Sequence, residues 1–130
     1  MPSQKDQTGG RATKSVNKPT ETADGAPVHL SEADFDEFIS NHKLCVIDFW
    51  AEWCAPCRFL EPIVEELARE YAGKAAFGKL NVDDNPRIAE RYEIMSIPTL
   101  LVFKDGQPVH TIVGAMPKGA LIEQLRPFLG

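Results

Sequence analysis

Two cysteines, Cys54 and Cys57, are separated by two residues in Trp50-Ala51-Glu52-Trp53-Cys54-Ala55-Pro56-Cys57, where an apolar run gives way to a helical pattern. That spacing lets the second sulfur reach the first once a helical turn has formed, so the pair can close and open a disulfide. At a helix N-terminus, unpaired backbone N–H groups and the positive dipole end favour thiolate over thiol. The chemistry implied is reversible thiol–disulfide exchange. Cys54, at the helix end, is read as the exposed nucleophile, and Cys57, one turn inside, as the resolving thiol. Pro56 restricts the loop between them. The competing reading, half a zinc site or two unrelated core thiols, lacks the second cysteine pair that a Cys-type zinc site requires.

Asp48 is the one charge in the run Leu44 to Ala51. Ionised inside a buried strand it costs on the order of several kcal/mol, so a raised pKa is expected. A carboxyl of raised pKa beneath a dithiol can accept and return the proton that the second thiol must lose before it attacks. A hydrogen-bonded structural aspartate is the plainer alternative. Lys79, on the next strand candidate, is the plausible counter-charge to Asp48, although taken alone it reads as a surface lysine. Cys45 lies within the apolar run and reads as a small core side chain. Of the two tryptophans, Trp53 is the one in the loop beside the thiols. Gly114 reads equally as a strand-end turn residue and as groove lining, and Glu52 as solvated. His29, His42 and His110 are too dispersed in sequence to suggest a metal set, and none is expected.

The elements that must hold these groups follow from periodicity. Val28-His29-Leu30 is a short strand candidate, and Ser31 with Asp34 reads as a helix N-cap ahead of Phe35, Phe38 and Ile39, the helix closing near Asn41. Leu44 to Ala51 is apolar almost without alternation, as a strand covered on both faces should be. Leu60, Ile63, Val64, Leu67, Ala68 and Tyr71 then mark an amphipathic helix that ends at Gly73, with a kink expected at Pro62. Ala75 to Val82 is a second buried strand, and Asn85-Pro86 opens a short helix. Thr99 to Phe103 and Pro108 to Val113 flank Asp105-Gly106, whose tolerance of positive φ suits a hairpin turn. A terminal amphipathic helix starts at Pro117, and Pro127 is expected to fray its last turn. The order is βαβαβαββα, an α/β domain whose sheet finishes antiparallel.

The 130 residues, 43% hydrophobic and 25% charged, suit one globular domain. The net charge of −5 argues against a nucleic-acid surface. Residues 1–27 hold almost no large apolar side chain and read as a disordered extension, with the folded domain at 28–130. Four basic and three acidic residues fall in that tail, leaving 10 basic and 16 acidic in the domain, a net of −6. No apolar segment follows the first lysine as in a secretory signal, and none is long enough to span a membrane. The near balance of charge in the tail also weakens a transit-peptide reading, so a cytoplasmic setting is expected.

Asp48-Phe49-Trp50-Ala51-Glu52-Trp53-Cys54-Ala55-Pro56-Cys57, Pro62, Lys79-Leu80-Asn81-Val82-Asp83, Ser96-Ile97-Pro98-Thr99, Phe103-Lys104-Asp105-Gly106 and Val113-Gly114-Ala115 together resemble the thioredoxin family at matching spacings. A Cys-x-x-Cys pair beside a βαβ pattern is an established sign of that family. The resemblance spans about Val28 to Gly130. It implies the thioredoxin fold, a central mixed five-stranded sheet flanked by four helices, with a cis peptide before Pro98. It also implies a substrate groove near Cys54 formed by Trp53, Ile97, Pro98 and Gly114, with Ala55 and Pro56 at its edge, where an extended peptide adds as a strand. One departure concerns Ala55, where the family usually has Gly. It is expected to change redox poise and partner choice modestly while leaving the reaction class intact.

The implied activity is protein-disulfide reduction and electron carriage by a Cys54–Cys57 dithiol, without a bound cofactor, with disulfide-bearing proteins as substrates and a separate thioredoxin reductase as partner. The chain is read as a monomer that binds neither nucleic acid nor membrane. Two alternatives remain at this level: a dithiol oxidase or isomerase of an oxidising compartment, and a thioredoxin-fold binding or chaperone module whose groove matters more than its thiols.

Overall fold

A computed structural model describes residues 25–129. Nine elements follow in order: β1 (Val28–Leu30), α1 (Phe35–Asn41), β2 (Leu44–Trp50), α2 (Ala55–Glu70), β3 (Ala76–Asn81), α3 (Pro86–Arg91), β4 (Thr99–Lys104), β5 (Gln107–Val113) and α4 (Lys118–Leu129). The five strands form one sheet in the order β1-β3-β2-β4-β5. β1, β3 and β2 run parallel, whereas β2–β4 and β4–β5 are antiparallel. This is the expected mixed sheet of the thioredoxin fold, with β2 at its centre.

The unbroken apolar character of β2 has the expected cause, because side chains on alternate faces both meet a core. Cys45, Ile47 and Phe49 pack with Phe35, Phe38 and Ile88 of α1 and α3. Val46 packs with Leu60, Val64 and Leu67 of α2 and Leu121 and Leu125 of α4. Side chains alternate along a strand, so Asp48 shares the α2 face with Val46. In β3, Lys79 shares that face with Phe77.

Gly78 has a packing role. A Cβ built on it would lie 2.6 Å from Leu30 Cδ1 and 3.1 Å from Ile47 Cδ1, both in the core beneath β1 and β2. Gly78→Ala is expected to cost about 1–3 kcal/mol through overpacking. Thermal unfolding of the variant should show a Tm lower by about 5 °C or more, and an unchanged Tm would mean that Leu30 repacks freely.

Several boundaries differ from those read in the sequence. α1 begins at Phe35, preceded by a turn in which Asp34 Oδ1 accepts the Ser31 N–H at 2.7 Å and the Ser31 carbonyl accepts the Phe35 N–H at 3.0 Å. Ser31 and Asp34 therefore brace the turn before the helix. Pro62 lies within a single sixteen-residue helix, as read from the sequence, whereas Pro127 lies within the last turn of α4, which continues to Leu129. α4 starts one residue after Pro117, whose carbonyl accepts the Leu121 N–H. Asp105 and Gly106 both have positive φ, 52° and 82°, as the hairpin reading required. The extension read for residues 1–27 lies outside the described residues up to position 24. Of the remainder, Pro27 is buried and Gly25 lies against α2 beside Arg69.

Candidate active site

The chain leaves the C-terminal end of the central strand β2 and enters α2 after a short turn in which the Cys54 N–H bonds the Ala51 carbonyl at 3.2 Å. Cys54 is the N-cap of α2, with extended backbone (φ −92°, ψ 104°), and its sulfur accepts the Cys57 N–H at 3.2 Å. Pro56 occupies the first turn, where a missing N–H is harmless. Cys54 and Cys57 are joined as a disulfide with their Cα atoms 5.3 Å apart. The sulfur of Cys54 thus lies at the positive dipole end of a sixteen-residue helix, bonded to one of its first-turn N–H groups.

One expectation about this pair is corrected. Cys54 is no more exposed than Cys57, each being 3% accessible. Trp50, Val82 and Ile97 close over the disulfide together with Ala51. Helix position distinguishes the two cysteines where the exposure of the whole residue does not.

The loop before β4 completes the cover. The Ile97–Pro98 peptide is cis, and the Ile97 carbonyl lies 3.8 Å from Cys54 Sγ. Thr99 Oγ1 donates to the Ser96 carbonyl at 2.6 Å, and the Gly114 N–H, at a φ of 95°, donates to the Pro98 carbonyl at 2.9 Å. The end of β5 is thereby tied to the loop over the thiols. Pro98 is buried, Gly114 and Ile97 are half-buried, and Ala55 and Pro56 are exposed at the helix start.

Beside this loop lies a cavity of about 370 Å³ lined by Trp53, Val82, Ala89, Ile94, Met95 and Ile97. Trp53 is 68% and Met95 91% exposed. The Trp53 indole N–H donates to Asp83 Oδ2 at 2.8 Å, and Asn81 Oδ1 accepts the N–H groups of Asp83 and Asp84. Neither Asp83 nor Met95 stands out in the sequence by itself. Asp83 is legible there only as part of a motif, and Met95 only as an apolar residue in a loop.

Asp48 is 1% exposed, and its Oδ1 has no hydrogen-bond partner. Burial pushes its carboxyl up to about 7, against the opposing pull of Lys79 and with a smaller push from Glu61. Asp48 and Lys79 are register partners across β2 and β3, yet the Lys79 ammonium makes its ion pair with Glu61 Oε2, at 3.0 Å. It also stands 4.7 Å from the centroid of the Trp50 ring. Lys79 therefore acts on Asp48 through space and not by contact. Glu61, one turn beyond Cys57, carries no distinguishing signal in the sequence.

The other candidates are not part of this arrangement. Cys45 is fully buried, its thiol pushed up to about 12 by burial, with Sγ 3.4 Å from the His42 carbonyl. Among the described residues no cluster of three or more His, Cys, Asp or Glu could hold a metal, and no helix is long and apolar enough to cross a membrane.

The sequence model of the thioredoxin family matches residues 26–127. The chain belongs to the thioredoxin family. A thioredoxin of Staphylococcus aureus is 53% identical over 104 residues, which cover 80% of this chain and 99% of that protein. Among solved structures, a single-residue mutant of a thioredoxin from Halobacterium salinarum NRC-1 superposes with a TM-score of 0.76 at 33% identity, covering 84% of this chain and 96% of its own. A Plasmodium falciparum thioredoxin gives 0.72 at 38% identity, over 77% and 97% respectively. The chain is accordingly a thiol–disulfide oxidoreductase built on a redox-active cysteine pair. Membership of the thioredoxin family implies disulfide-bearing substrates and a thioredoxin reductase as partners, and chemistry that needs no cofactor.

Proposed function

We propose that the Cys54 thiolate attacks a substrate disulfide, forming a Cys54–substrate disulfide and expelling the other substrate sulfur as thiolate. Cys57 then gives its proton to Asp48, and its thiolate attacks the Cys54 sulfur. This releases the second substrate thiolate and leaves the Cys54–Cys57 disulfide. Two electrons pass from the protein to the substrate, and a thioredoxin reductase restores the dithiol. Lys79 supplies a positive field near Asp48. Trp53, Ala55, Pro56, Ile97, Pro98 and Gly114 border the groove that receives an extended substrate segment. The observations that support this assignment most directly are Cys54 Sγ at the N-cap of α2, accepting the Cys57 N–H, and, in the strand β2 that leads into this turn, a buried carboxyl oxygen of Asp48 with no partner.

In this reading the protein works as a cytoplasmic monomer. Residues 28–130 form the catalytic domain and 1–27 an extension. Equilibrating the Cys54/Cys57 pair against glutathione and resolving the two forms by thiol alkylation tests the direction of the reaction. A potential more negative than that of glutathione is expected of a reductant. A more positive value would make the protein a dithiol oxidant or isomerase instead.

A further inference from the structure

Lys79 and Asp48 face each other across parallel strands on the side of the sheet covered by α2. Neighbouring strands stand about 5 Å apart, well within the reach of a lysine side chain. Their failure to pair directly therefore needs a cause. Glu61 provides one. It lies four residues after Cys57 in α2 and so on the same helix face, and its Oε2 holds Lys79 Nζ at 3.0 Å. The Trp50 ring flanks the same ammonium at 4.7 Å, a cation–π contact that favours this position. Lys79 is 5% and Glu61 47% exposed, so the ammonium of a nearly buried lysine is drawn toward a carboxylate at the surface. Asp48 Oδ1 is left with no partner.

We propose that Glu61 is a positioning residue for the resolving step: by anchoring the Lys79 ammonium, it withholds an ion-pair partner from Asp48. The inference rests on the reading of Asp48 as proton acceptor for Cys57. The charged groups around Asp48 are Lys79 from β3 and Glu61 from α2. The cysteine pair, also from α2, does not titrate while oxidised, and the register partner in β4 is Leu100. Replacing Glu61 acts twice in one direction. Its negative charge no longer opposes ionisation of Asp48, and the released ammonium is free to bond the carboxylate.

The test is to titrate the Asp48 side-chain carboxyl by carbon NMR in the oxidised full-length protein, comparing wild type, Glu61→Gln, Lys79→Gln and the double variant. Glu61→Gln should lower the Asp48 midpoint by about one pH unit, and in the Lys79→Gln background the same change should lower it by less than about half as much. Glu66→Gln, which removes a carboxylate paired at 3.0 Å with Lys118, should leave the midpoint in place. No shift in Glu61→Gln, or an equal shift in both backgrounds, would overturn the proposal. A second readout separates it from the mechanism on which it rests. The acid limb of the pH profile for mixed-disulfide release should move down with the Asp48 midpoint. If the midpoint moves and the acid limb does not, Asp48 is not the proton acceptor, while the anchoring by Glu61 stands.

Discussion

Cys54→Ser is expected to bring protein-disulfide reduction down to the uncatalysed rate, a loss on the order of a thousandfold or more, whereas Cys57→Ser retains the first attack and then stalls. A serine hydroxyl at position 54 would sit at the same N-cap, but the helix terminus cannot bring an alcohol near ionisation at neutral pH, and an alkoxide does not displace sulfur from a disulfide under these conditions. With serine at 57 the Cys54–substrate disulfide forms but nothing within reach can resolve it. Incubation with a disulfide-bearing protein should therefore yield one mixed disulfide per chain, visible by mass spectrometry and released by dithiothreitol. Cys45 cannot substitute, being fully buried with its thiol pushed up to about 12. If Cys54→Ser turned over normally, or if it formed the trapped adduct through Cys57, the assignment of roles would be wrong. The pair of variants matters because exposure does not separate the two residues, each 3% accessible in the disulfide form, and their positions at the N-cap and in the first turn of α2 do.

Asp48→Asn should slow mixed-disulfide resolution more than first attack and should also change the pH dependence of stability. The folded midpoint of Asp48 is about 7, against about 4 for an unfolded aspartate. Between those values the folded state holds a proton that the unfolded state has lost. The contribution of Asp48 is thus most favourable below about pH 4, and it declines as pH rises through about 7. Three pH units of separation correspond to at most about 4 kcal/mol, and a buried amide with an unmet hydrogen bond offsets part of this. The variant should be more stable than wild type at pH 8 by about 2 kcal/mol, with the advantage shrinking as pH falls toward 4. Denaturant melts across that range would check it, and a pH-independent difference between the two proteins would show that Asp48 titrates normally in the fold. Equal slowing of attack and resolution would instead remove the proton-transfer role. The two effects have a common origin, because the burial that makes this carboxyl costly at neutral pH also brings it into the range where it can exchange a proton with a thiol.

Much of the architecture was legible because it rests on local rules. The Cys-x-x-Cys spacing, the 3.6-residue apolar period after Cys57, the unbroken apolar run through β2 and the Asp105-Gly106 turn each report one physical constraint within a few residues of chain. They were enough for the element order and for an α/β sheet that finishes antiparallel. The family's separated motifs carried the rest of the fold, including the cis peptide at Ile97–Pro98, which no local pattern announces. At Ser31 and Asp34, hydrogen bonds of the preceding turn compete with the first helical turn, which periodicity does not report.

For the active dithiol, sequence by itself determined the chemistry. Two thiols at a strand-to-helix junction, with a carboxyl six residues earlier in a buried strand, already imply exchange and a proton carrier. The tertiary structure decided how those groups are shielded and paired. Ile97 and Val82 come from distant segments to cover Cys54, Asp83 fastens the Trp53 indole, and Glu61 takes the ammonium that strand register had aligned with Asp48. The reason is physical. Periodicity along a chain tells which face a side chain occupies, whereas the choice between two carboxylates for one lysine depends on distances set when a helix packs across a sheet.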